Sequence, residues 1–137
     1  NYSDYTLKFW NKKTGTLIKT VDLNEFLYSL EVDETTGTTY LGTRNEVIII
    51  DNSTLKIKKQ FKVENLKQLI FNKTDGQLYI VTGFSPINIE DKSNMKFIKL
   101  NPSTGNSSEL ANWPVKFEPI SSKISGNNGF IIYETQY

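Results

Sequence analysis

The segment TTGTTYLGT, Thr35 to Thr43, returns as TDGQLYIVT, Thr74 to Thr82. Gly37 and Gly76 stand 39 residues apart, as do Tyr40 and Tyr79, and both segments end on threonine. Each copy is followed, after a polar gap, by a run that closes on a polar residue: EVIIID (Glu46 to Asp51) in the first, MKFIKLN (Met95 to Asn101) in the second. These runs are rich in β-branched and aromatic residues, so the repeating unit is a set of short strands joined by glycine turns.

Outward from this pair, the same grammar covers the chain. Strands are expected at Thr6–Trp10, Leu17–Leu23, Leu27–Val32, Thr38–Thr43, Glu46–Asp51, Leu55–Val63, Leu66–Phe71, Gln77–Thr82, Met95–Leu100, Ser107–Leu110, Ile120–Ser125 and Gly129–Glu134. Their reversals repeat one chemistry: KKTG before Thr16, ETTG before Thr38, KTDG before Gln77, PSTG before Asn106 and GNNG before Phe130. Glycine at the close of a tight reversal supplies the positive φ that the turn requires. Leu23, Phe26, Leu27 and Leu30 have the spacing of one helical face, but the equivalent stretch before Leu69 is a strand junction, so strands are expected here too. The class is all-β and antiparallel.

Composition narrows the chemistry. The 137 residues suit one domain with a real core. Sixteen basic and fifteen acidic residues leave a net charge of +1, which gives no support to a general nucleic-acid surface. Neither cysteine nor histidine is present, so disulfides, thiol catalysis and imidazole ligation are excluded, and any metal would be oxygen-bound. The acidic clusters DETTGT and EDKSN do not match an EF-hand loop, and no metal or cofactor is expected. No apolar run reaches the ~18 residues of a membrane span, and Asn1 to Asp4 are too polar for a signal peptide, so a start at Asn reads as a processed or excised piece. Sequons at Asn1, Asn52, Asn72 and Asn106 keep a secreted origin in play, although a cytoplasmic or nuclear one is preferred.

A period of ~40 residues made of short strands is that of β-propeller blades. TLKFWNKKTGTLIKT (Thr6 to Thr20) resembles the end of a WD-repeat blade, with Trp10 and Asn11 in the Trp-Asp positions and a T-G turn before the outermost strand. The later copies place Ile50-Asp51 and Leu100-Asn101 there, and so also resemble YVTN or quinoprotein-like repeats. The resemblance implies four-stranded antiparallel blades in an incomplete ring: a half blade at 1–23, a blade at 27–63, a blade at 66–111 with an insertion at 83–94, and a half blade at 118–137. Propellers have four to eight blades, so three cannot close. The open edges call for further strands from the same chain or another, and a head-to-tail pair of chains would give six blades. It further implies that Trp10 is structural, packed within the repeat.

Phasing the repeat sorts the loops by face. One face gathers Asn24 to Phe26, Arg44 and Asn45, Glu64 and Asn65, the insertion Gly83 to Asn94, and Asn112 to Phe117. Insertions on one face of a repeat protein mark a binding face, so a protein partner, or a second propeller segment, is expected against Phe26, Arg44, Asn45, Phe84, Ile87, Glu90, Asp91, Trp113 and Lys116. Trp and Arg are favoured interface anchors, which singles out Trp113 and Arg44. The carboxylates fall mostly in turns, where Asp caps backbone, so no enzyme is expected. Lys56, Lys58, Lys59 and Lys62 line an outer strand, as expected of an edge protected from pairing. The expected function is thus a non-catalytic protein-interaction scaffold, and the alternative is a secreted or periplasmic propeller that binds a surface ligand or serves an enzyme.

Overall fold

The computed structural model describes residues 5–83, 95–113, 117–125 and 128–135. Twelve strands and no helix are found among them: β1 (Tyr5–Trp10), β2 (Leu17–Leu23), β3 (Leu27–Asp33), β4 (Thr38–Thr43), β5 (Glu46–Asp51), β6 (Lys56–Lys62), β7 (Leu66–Asn72), β8 (Gln77–Thr82), β9 (Met95–Leu100), β10 (Ser107–Trp113), β11 (Phe117–Ser125) and β12 (Asn128–Thr135). Each strand pairs antiparallel with its neighbour in sequence, giving sheets β1–β2, β3–β4–β5–β6, β7–β8–β9–β10 and β11–β12. The all-β, antiparallel expectation is met.

One turn is built repeatedly. Asn11 Oδ1 accepts the N–H groups of Lys13 (2.9 Å) and Thr14 (3.2 Å), Asp51 Oδ1 those of Ser53 (2.8 Å) and Thr54 (3.2 Å), and Asn101 Oδ1 those of Ser103 (2.9 Å) and Thr104 (3.2 Å). The carbonyl of the same residue accepts the N–H four residues on, from Gly15, Leu55 and Gly105. A short polar side chain that caps its own turn is why an Asx residue closes each of these strands. The fifth position is left-handed in all three, with φ of 68° at Gly15, 79° at Gly105 and 53° at Leu55. Leu55 therefore lies in this turn rather than in β6, where the sequence placed it.

Consecutive sheets stack through their faces. Val47, Ile49 and Tyr40 of the second sheet meet Leu66, Leu69, Leu78, Ile80 and Leu100 of the third in one buried cluster. Ile48, Ile50 and Leu41 meet Leu23, with Leu7, Phe9 and Val21 packed against them from the first sheet. A sheet covered on both faces has no solvent side, which is why EVIIID is a continuous apolar run and every residue of β4 is buried. The outermost strands β6 and β10 are mostly polar and exposed, and Lys56, Lys58, Lys59 and Lys62 stand on the free edge of β6.

Two further differences concern Trp residues and strand ends. Trp10, expected inside the repeat, is 56% exposed, whereas Ile50 and Leu100 at the matching positions are buried. Leu7 and Phe9 of β1 pack on the second sheet, and among the described residues no sheet lies upon the opposite face, which carries Trp10. β10 runs on to Trp113, which pairs with Met95, because a bulge between Glu109 and Ala111 absorbs a register shift and lets a polar strand continue. β11 likewise begins at Phe117, so Asn112, Trp113 and Phe117 sit on strands rather than in a loop.

Candidate functional site

At one end of the two four-stranded sheets the connecting loops are tied to one another. Glu25, in the connection from β2 to β3, is the clasp: its Oε2 accepts the Asn45 N–H at 3.0 Å and the Thr43 hydroxyl at 3.2 Å, and its Oε1 accepts Asn45 Nδ2 at 2.7 Å. The carbonyl of Asn45 takes the Val63 N–H, that of Arg44 takes the Leu66 N–H, and that of Asn65 takes the Gly83 N–H, each at 2.9 Å. Three connections, Asn24–Phe26, Arg44–Asn45 and Val63–Asn65, together with Gly83, thus form one hydrogen-bonded surface. Asn65 holds φ at 55° to make its part of it, a conformation asparagine tolerates better than most residues.

A threonine hydroxyl closes the strand-to-strand connection in both sheets. Thr43 Oγ1 accepts the Glu46 N–H at 3.2 Å, and Thr82 Oγ1 accepts the Lys96 N–H at 3.1 Å. In the second sheet two residues separate these strands; in the third the connection is the long insertion. The same hydroxyl fixes the start of β9 regardless of connection length, so the repeat accommodates an insertion there without loss of register.

The expected contact residues divide into three groups. Phe26, Arg44 and Asn45 are brought together by the Glu25 clasp. Phe26 is 54% exposed and lies edge-on to Tyr28 at 5.0 Å and Tyr5 at 5.8 Å, while the Lys67 ammonium stands 5.0 Å over the Tyr28 ring. Asn45 commits its side-chain amide to Glu25, so it shapes the surface. Trp113 is half-buried at the end of β10, beside Asn112, whose Nδ2 donates to Glu109 Oε1 at 2.9 Å; Lys96 meets Glu109 Oε2 at 3.1 Å. The Asn112 bond, with the Lys96 ammonium, holds Glu109 below its ordinary value. Phe84, Ile87, Glu90, Asp91 and Lys116 lie outside the described residues.

A groove of about 540 Å³ opens between β6 and the outer strands of the third sheet, lined by Phe61, Val63, Asn65, Gly83, Lys96 and Ile98 among others. Its floor is tight: a Cβ on Gly105 would lie 2.5 Å from the Phe61 ring. Among the described residues no three acidic side chains are grouped to hold a metal ion, and no helix is long and apolar enough to cross a membrane.

Sequence reasoning did not single out Glu25, Tyr5 or Tyr28. Glu25 hides because its partners Thr43 and Asn45 lie 18 and 20 residues further on, beyond any local pattern. A scan against protein-family models finds none that matches this chain, and a search of curated proteins finds no match either.

Proposed function

We propose that the chain is a segment of a WD-like or YVTN-like β-propeller acting as a non-catalytic scaffold, with the Glu25-clasped loop face as its protein-binding surface. The observation that carries this reading is the clasp itself: it ties the loop of the exposed aromatic Phe26 to the loop of Arg44 and so makes one surface of them. A pre-ordered surface loses little entropy on binding, and exposed aromatics with arginine make effective anchors.

Several observations support the propeller part. The first sheet repeats the second at a 40-residue offset down to its irregularities: the β1–β2 register shifts between Phe9 and Trp10, the β5–β6 register between Ile49 and Ile50. The inner strands β3, β7 and β11 each carry a bulge in their first half, as inner strands of successive blades would.

The carboxylates favour a scaffold over an enzyme because their oxygens are engaged in local structure. The Ser53 hydroxyl, then the Thr54 and Ser53 N–H groups, hold Asp51 down at about 2. Asp75 accepts the Tyr79 hydroxyl at 2.6 Å, a bond that pushes the phenol up to about 12. Glu25 serves the clasp.

The test is differential capture from an extract of the source cells. Phe26→Ala with Arg44→Ala should lower retention of a bound polypeptide about tenfold or more, as loss of an interface anchor does, while far-UV circular dichroism stays unchanged. Retention that survives this pair but is lost with Lys12→Glu and Lys13→Glu, at the opposite end of the sheets, would refute the assignment of the face.

A further inference from the structure

β6 is the last strand of its sheet and presents a free edge. Its sequence, KIKKQFK, carries four lysines and no acid. β2 and β10, each also the last strand of its sheet, differ: LIKTVDL has one lysine and one aspartate, and SSELANW has a glutamate and no lysine. Lysine discourages strand addition at an edge, but a need for that protection applies to all three strands alike. The concentration of lysine on β6 therefore calls for a cause particular to β6.

That cause is the hollow beside it. Two cavities follow one another along the strand: one of about 300 Å³ beside Lys58 and Lys59, walled by Pro102 and Ser103, and the groove of about 540 Å³ that runs beside Gln60 to Asn65. The floor of the larger is apolar, made by Phe61, Val63, Ile98 and Leu100 of the cluster between the sheets. Charged residues on the two linings are Lys58, Lys59, Lys62 and Lys96 against Glu64 alone. Present partners leave these lysines open to competition. Lys59 donates to the neutral Ser103 carbonyl. Lys62 and Glu64 meet at 3.2 Å with most of both side chains in water, and Lys58 and Lys96 meet Asp51 and Glu109 at 3.7 and 3.1 Å with about half of each lysine in water. Exposed pairs of this kind contribute little to stability. Among the described residues no backbone bond from outside its own sheet reaches Lys56–Lys62.

We propose that β6 and the hollow beside it bind an extended segment of a partner protein in which apolar and acidic residues alternate. The segment adds as a strand to the free edge of β6, main chain to main chain. Successive side chains of a strand point to opposite faces: Phe61 packs against the cluster with the third sheet, so Gln60 and Lys62 turn the other way. An added strand continues that alternation, laying every second residue on the apolar floor and the residues between beside the lysines. About six residues match the seven of β6. The lysines then act as a filter that repels neutral and basic strands and admits an acidic one. This binding requires neither a closed ring nor the Phe26–Arg44 surface.

Fluorescence anisotropy of the 137-residue chain with a fluorescein-labelled peptide of six residues, valine and aspartate in alternation, tests the proposal. Saturable binding is expected, weakening as salt rises. A peptide of three valines followed by three aspartates, and one in which lysine replaces aspartate, should each bind about tenfold or more weakly. Lys58→Glu with Lys62→Glu should weaken binding of the alternating peptide by a similar factor, while Lys12→Glu with Lys13→Glu, an equal charge change on the exposed turn after β1, leaves it as it was. Ser107→Trp fills the groove from an exposed position and should abolish binding with far-UV circular dichroism unchanged. Should that variant misfold, the paired lysine changes decide. Methylating alternate backbone nitrogens of the peptide separates strand addition from adhesion, since only one edge of the peptide faces β6: one set should abolish binding and the other preserve it. No binding, equal binding of the block-order or lysine peptide, indifference to the Lys58 and Lys62 changes, or the same effect from both methylated sets would each overturn the proposal.

Discussion

Gly42→Ala adds one methyl group where β4 of the second sheet faces β7 of the third. A Cβ built there lies 2.6 Å from Leu66 Cδ2 and 3.4 Å from both Leu66 Cδ1 and Leu69 Cβ. Carbon atoms prefer about 3.5 to 4.0 Å, so Leu66 must give way by about 1 Å. It has nowhere to go, because Leu66 is fully buried and Leu69 nearly so, and both sit in the cluster between the sheets. Overpacking of this kind costs about 1 to 3 kcal/mol. Alanine recovers about 0.5 to 1 kcal/mol of backbone entropy in a strand, which leaves a net loss of about 1 to 2 kcal/mol. In a chain of this size that lowers Tm by about 3 to 10 °C.

A double-mutant cycle isolates the cause. Leu66→Ala alone should cost about 2 to 5 kcal/mol by leaving a cavity. Combined with Gly42→Ala it removes the clash and lets the new methyl occupy part of the space, so the pair should be more stable than the sum by at least about 1 kcal/mol. Gly37→Ala serves as control: Gly37 has φ of 63° and nothing within 4 Å of the added Cβ, so its cost of about 1 to 2 kcal/mol is purely conformational and should not couple to Leu66. Urea denaturation measures the three single variants and the two pairs with Leu66→Ala. A Gly42→Ala chain as stable as the parent at unchanged m, or strict additivity with Leu66→Ala, would show that β4 does not touch β7 as described.

Leu55 occupies a left-handed position that glycine fills at 15 and 105, so Leu55→Asn should raise stability by about 0.5 to 1 kcal/mol in denaturant titration, asparagine accepting that conformation more readily. A loss would mean that the half-buried leucine side chain outweighs its backbone strain. Asp51 is held down at about 2, first by the Ser53 hydroxyl. A carboxylate whose folded value is depressed stabilises the fold above its unfolded value and loses that contribution as pH falls through the folded one. Asp51→Asn should therefore flatten the decline of Tm between pH 4 and pH 2 while preserving the turn, as Asn11 and Asn101 do. An unchanged acid limb would refute the role given to Asp51. Glu25→Ala strips three donors of their acceptor and should cost about 1.5 to 3 kcal/mol in the same titration. A change below about 0.5 kcal/mol would mean that the loops are held without the clasp.

Much of the fold was legible because its turns are written in side chains. Asn11, Asp51 and Asn101 each cap their own reversal, and that chemistry is local. Where structure depends on a bulge or a neighbour, the sequence is silent. The polar run of β10 passes through Trp113 only because Lys96 and Asn112 meet Glu109 across a register shift. Gly42 looks like any glycine until Leu66 is seen above it. Glu25 acts across 18 and 20 residues on Thr43 and Asn45, and no periodic pattern announces such a clasp.

Trp10 carries the broader lesson. The repeat assigns it a buried position, and Ile50 and Leu100 obey that assignment in the sheets that follow. Trp10 does not, although its strand, turn and bulge match theirs, so local sequence is not the cause. Burial at this position is conferred by the preceding sheet, the first for Ile50 and the second for Leu100; among the described residues no sheet precedes the first. Leu30 and Val32 on β3 are likewise more exposed than Leu69 and Phe71, and Tyr79 and Phe97 more than Tyr40 and Val47. Other apolar residues are exposed for a different reason: Leu17 and Ile18 on β2, Ile57 on β6 and Leu110 on β10 stand on the outermost strands. Exposure at Trp10, Leu30 and Val32 is thus decided by which sheet lies against each position, a property that no local pattern encodes.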